Sequence, residues 1–73
     1  MDIGIRIRNY LETHGIKQAW LSKNTHIPQS KLNLSLNGKR KLSFEEYQTI
    51  CWALGVGVDM FLEARPLIKD AAQ

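Results

Sequence analysis

The apolar positions of this chain recur every three to four residues rather than every second one, a period that predicts helices throughout. Ile3, Ile7, Tyr10 and Leu11 line one face of a first helix, with Asp2 placed to cap its start and Gly15, after His14, placed to close it. A shorter second helix is expected from Lys17 to Asn24, carrying Ala19, Leu21 and Ser22. The turn Thr25-His26-Ile27 follows, and Pro28 opens a third helix that runs to Leu36 before Asn37-Gly38. Proline suits a first helical turn because its missing N–H would have no helical partner there. Ser43-Phe44-Glu45-Glu46 has the spacing of a capping box and starts a fourth helix, whose buried face is read as Phe44, Tyr47, Ile50, Cys51 and Leu54, and which Gly55 stops. Val58 to Leu62 has room for one or two further turns. The expectation is an all-α fold, a compact bundle of five short helices over residues 1–65, with Pro66 starting a flexible tail over 66–73.

Length sharpens this picture. A chain of 73 residues buries only about 60% of the surface its unfolded form exposes, so something must support a small core. A single cysteine excludes an internal disulfide, and His14 and His26 lack neighbours at metal-ligand spacing, so neither a metal nor a cofactor is expected. That leaves close helix packing, with or without the further burial that dimerisation would bring. Cys51 falls on the face of Ile50 and Leu54 and is read as core rather than as a reactive thiol; His14 is read as a surface residue. Apolar runs stay well short of the ~20 residues that span a bilayer, and the charged N-terminus is not a signal peptide, so the expected location is the cytoplasm. No nucleophile–base order, paired carboxylates or phosphate-cradling loop stands out, so the chain is not read as an enzyme.

Charge adds a direction. The net charge of +3 is modest, but from Gly15 to Leu42 the chain holds Lys17, Lys23, Lys31, Lys39, Arg40 and Lys41 and no acid. All seven acidic residues flank that stretch. Positive charge gathered on one segment is the electrostatic footprint of a polyanion binder.

Two short helices joined by a tight turn, the second opening on polar side chains, have the layout of a helix-turn-helix. At that point the chain resembles the Cro and phage-repressor family, also called XRE or lambda-repressor-like. The resemblance is carried by Ile3 to Arg8, Gly15-Ile16-Lys17-Gln18, Gln29-Ser30, Asn37-Gly38-Lys39-Arg40, and Ala53-Leu54-Gly55-Val56 with Val58-Asp59. It implies a lambda-repressor-like domain that binds double-stranded DNA as a transcriptional regulator of phage or mobile-element type. The third helix would enter the major groove, with Gln29, Ser30, Lys31, Asn33 and Leu34 near the bases. Gln29 would be the principal reader, because a glutamine amide can bond an adenine edge at two points. Lys17, Gln18, Asn37, Lys39, Arg40 and Lys41 would hold the phosphates, and Gln18 could also buttress Gln29. A carboxylate in any of those places would repel the phosphates, which accounts for the acid-free stretch.

The chain departs from that family at four places. His26 stands where glycine is usual, at a backbone position of positive φ. Leu11 and Leu36 stand where some members bury an arginine–glutamate pair, which predicts an apolar contact in its place. Ser35 and Thr25 stand where large apolar side chains are general; a shifted third helix, or Trp20 tucked beneath it, would each fit. Leu34 stands where a polar base reader is common, and it could meet a thymine methyl or a protein partner.

One helix-turn-helix gathers few base contacts, so the resemblance implies a homodimer, on DNA at least, at a pseudo-palindromic operator. Trp52, Val58 and Met60 are the expected interface, whereas Phe61 is read as core. The competing expectation is a protein-interaction module, such as an antitoxin-like adaptor, that keeps the fold.

Overall fold

In the computed structural model, which describes residues 2–62, four helices follow one another: α1 Ile3–His14, α2 Gln18–Thr25, α3 Gln29–Leu36 and α4 Phe44–Leu54. The described residues contain no strand, and none of their helices is long and apolar enough to cross a membrane. The expected tail over 66–73, and residues 63–65 of the expected domain, lie outside the described residues.

Local chemistry fixes where the helices begin and end. The Asp2 carboxylate accepts from the Gly4 N–H at 2.7 Å and caps α1. Ser43 Oγ accepts from the Glu46 N–H at 3.1 Å while the Glu46 carboxylate accepts from the Ser43 N–H at 2.9 Å, completing the capping box of α4. Gly15 and Gly55 end α1 and α4 at φ 67 and φ 74, where a side chain would be strained. His26 ends α2 in the same left-handed region at φ 60, as its place in the turn predicts.

Ile7, Leu11, Leu21, Leu32, Leu36, Ile50 and Cys51 are each at most 2% exposed, and with Ile27, Tyr47 and Phe61 they form one core. Leu11 and Leu36 both join it, so an apolar core occupies the place of the buried ion pair. Cys51 is buried, and that burial pushes its thiol up from its ordinary range. The two polar residues among the buried ones are both satisfied. Thr25 Oγ1 donates to the Leu21 carbonyl at 2.7 Å, and Ser35 Oγ accepts from Arg40 at 2.9 Å. Trp20 is not tucked beneath α3, being 44% exposed. The space at Ser35 is closed instead by the α1 backbone. A Cβ on Gly4 would lie 1.9 Å from the Ser35 carbonyl oxygen, so α1 crosses the end of α3 at a distance that only glycine permits.

Two expectations are corrected. Val58 to Leu62 is not a fifth helix but a pair of tight turns, with Met60 N–H to Gly57 O at 3.0 Å and Leu62 N–H to Asp59 O at 3.2 Å. The Tyr47 hydroxyl donates to the Val58 carbonyl, the acceptor that an α-helix would offer to Leu62, and Arg6 donates to the Phe61 carbonyl at 3.2 Å. The segment is therefore pinned from outside, with Phe61 packed edge-on against Tyr10 and Tyr47 at ring separations of 5.4 and 6.4 Å. Phe44, read as core, is 66% exposed. It lies on the correct side of α4, but in its first turn, where it lines an open groove with Ile3, Leu42, Tyr47, Val58 and Leu62.

Candidate nucleic-acid interface

α2 and α3 are joined by His26, Ile27 and Pro28, and this turn holds α3 by its inner side. Ile27 is buried, its carbonyl accepts from Ser22 Oγ at 2.6 Å, and its N–H reaches Thr25 Oγ1 at 3.4 Å. Leu32, Ser35 and Leu36 face the core from α3. At 3.6 residues per turn the opposite arc carries Ser30 and Leu34, with Asn33 at its side and Asn37 just past the helix; Gln29, three residues before Leu32, is in the first turn above the inward face, and all five are exposed. Lys31 is exposed at the edge of that arc. Gln29, Asn33 and Asn37 stand one turn above another, with Ser30 and Leu34 alongside.

The surrounding charge is positive. Lys17, Lys23, Lys31, Lys39 and Lys41 are all exposed. Arg40 differs. Its guanidinium is half-buried and spans the Glu46 carboxylate with bonds of 3.1 and 2.8 Å, while also donating to Ser35. Glu46 is held below the usual carboxylate range, first by that guanidinium and then by the Ser43 N–H. Arg40 thus ties the loop after α3 to the start of α4, and all three of these bonds are made to the protein itself.

The ends of the helices differ in the same sense. α1 and α4 begin with a side-chain cap, whereas Lys17 and Pro28, at the starts of α2 and α3, supply none. No acid stands in the first turn of α2 or α3. The N–H groups at these two helix starts are left without a side-chain cap, and Lys17 stands at the first of them.

A row of amides crosses this surface. Asn33 Nδ2 donates to Gln18 Oε1 at 3.4 Å, Asn37 Nδ2 donates to Asn33 Oδ1 at 3.3 Å, and Arg8 Nη1 donates to Asn37 Oδ1 at 2.9 Å. Gln18 therefore finds its partner in Asn33, not in Gln29. Arg8 was legible only as part of the family pattern; nothing in its local sequence points to Asn37.

A three-dimensional arrangement of this kind, with α2 and α3 at near-equal length and α3 bare on its outer side, is that of a helix-turn-helix. A model of the Cro/C1-type HTH DNA-binding domain matches residues 6–66. The chain belongs to that family. Its members carry a DNA-binding domain, and this chain is one. Neither the curated proteins nor the solved structures hold a significant match to it.

Of the three residues expected at a dimer interface, Trp52 is 84% exposed, and it lines a shallow groove together with Val58 and Val56. Met60 is exposed but does not line that groove.

Proposed function

We propose that this domain reads double-stranded DNA sequence-specifically, as a transcriptional regulator of the phage or mobile-element type. α3 would lie in the major groove, with Gln29, Ser30, Asn33 and Leu34 toward base edges and Lys31 at the rim. One observation carries the reading: the outward residues of α3 are exposed, acid-free and, apart from Leu34, polar, and Lys17, Lys31, Lys39 and Lys41, all exposed, stand in or beside α2 and α3 along the chain. Lys17, Lys39 and Lys41 would neutralise phosphates, and the uncapped N-termini of α2 and α3 would add N–H donors. Asn37, Gln18 and Arg40 would act at the same backbone, Arg40 chiefly by holding its loop in place.

Leu34, 44% exposed between polar neighbours, fits a thymine methyl. It also favours the second reading, a protein-interaction module in which this arc meets an apolar partner. The two separate in a salt titration of binding to random-sequence duplex. A DNA reader loses affinity steeply as salt rises, and its slope falls by about one unit for each phosphate-bound lysine removed. Binding that is absent, or indifferent to salt, would favour the interaction module.

A homodimer on a pseudo-palindromic operator completes the proposal, with a second copy covering Trp52, Val58 and Met60. Burial of an exposed indole supplies the apolar anchor such an interface needs.

A further inference from the structure

The polar row across the DNA-facing side has a direction, and Arg8 sets it. A guanidinium can only donate, so the oxygen of the Asn37 amide must turn toward Arg8 and its nitrogen away. The nitrogen then donates to both the backbone carbonyl of Asn33, at 2.9 Å, and its side-chain oxygen, at 3.3 Å. With its oxygen so occupied, Asn33 turns its nitrogen to Gln18 Oε1 at 3.4 Å. The amide nitrogen of Gln18 is left at the end of the row, at the start of α2 beside Lys17. Each link fixes the orientation of the next, which an isolated amide does not possess.

Arg8 holds its place at a cost. Its Nε is buried without a hydrogen-bond partner among the described residues, an arrangement that stability alone does not favour. We infer that Arg8 is a positioning residue, whose guanidinium orients Asn37, Asn33 and Gln18 so that the Gln18 N–H groups are presented to a DNA phosphate before DNA arrives. This rests on the DNA-binding reading above and adds to it a residue of α1 that reaches the phosphate only through others.

The test compares Arg8→Gln, which can offer either an oxygen or a nitrogen to Asn37, with Arg8→Lys, which like arginine can only donate. In the free protein, Arg8→Gln should shift or broaden the side-chain amide resonances of Asn37, Asn33 and Gln18 together, and Arg8→Lys should largely keep them. In titrations against random-sequence duplex, Arg8→Gln should weaken binding roughly five- to tenfold, the range of a misplaced hydrogen bond. Adding Arg8→Gln to Gln18→Ala should weaken it little further, whereas adding it to Lys17→Ala should multiply the two losses. The salt slope should change by much less than one unit, because Arg8 itself releases no counterion.

A slope lowered by about one unit would make Arg8 a direct phosphate contact and overturn the inference. So would full additivity with Gln18→Ala, or amide resonances unmoved by Arg8→Gln. Should the wild-type chain show no salt-dependent binding, the DNA reading falls instead, and the resonance comparison still decides whether Arg8 orders the row.

Discussion

His26, Gly4 and Leu36 each sit where one atom more or less decides stability. At φ 60, His26 keeps a Cβ in the left-handed region, which costs about 1 kcal/mol relative to glycine. His26→Gly should therefore raise Tm; a lower Tm in that variant would contradict this account of the turn. Gly4 is the reverse case. A methyl there would fall 1.9 Å from the Ser35 carbonyl oxygen, an acceptor held by backbone that cannot swing aside. Gly4→Ala should cost about 3 kcal/mol and be visible as a large drop in denaturant midpoint. Leu36 is fully buried, and cutting it to alanine removes a large apolar side chain from the middle of the core. Chemical denaturation should register a loss of about 2–5 kcal/mol.

Between elements, the contact to watch is Arg40 with Glu46. The carboxylate belongs to the capping box of α4 and to the ion pair at once, so protonating it loosens both. Its folded pKa lies below the unfolded one, so its contribution is fully present above the ordinary carboxylate range and fades as pH falls through the lowered value. Thermal melts from neutral pH downward should show this loss, and Glu46→Gln should flatten that part of the curve. An unchanged acid limb in Glu46→Gln would mean the pair is a spectator. Contacts of this kind also mark what could be read from the chain. Asp2, Ser43 with Glu46, Gly15 and Gly55 act within a few residues of themselves, and their roles are legible in the letters. Gly4 against Ser35, Arg8 against Asn37 and Tyr47 against Val58 join residues far apart, and only packing brings them together. The fifth helix is absent for that reason: Val58 to Leu62 has the composition of a turn of helix, but Tyr47 engages the Val58 carbonyl from another element. Phe44 has the spacing of a core residue, and only the position of the first turn of α4 relative to the core shows it exposed.

At the scale of the molecule, the acid-free stretch from Gly15 to Leu42 supplies both α2 and α3 and the exposed lysines Lys17, Lys23, Lys31, Lys39 and Lys41. Ser30 and Leu34 are legible as outward residues of α3, because Leu32 and Leu36 fix which side turns inward; Gln29 shares the spacing of that inward side and is exposed because it opens the helix. Which amides join beside them is not legible, since Gln18, Asn33, Asn37 and Arg8 come from three separate stretches of chain. Exposed Lys39 and Lys41 should each contribute about one unit to the salt slope of DNA binding, measurable with Lys39→Ala and Lys41→Ala. Self-association should show in sedimentation as a mass that rises with concentration and returns to the monomer in Trp52→Ala. The most direct measurement of the central claim is selection from random duplexes with the purified protein, run beside Gln29→Ala and Asn33→Ala. One enriched half-site is expected for the wild-type chain, with preference relaxed at different base positions in the two variants. No enriched sequence at low salt, or identical sequences from all three proteins, would contradict that claim.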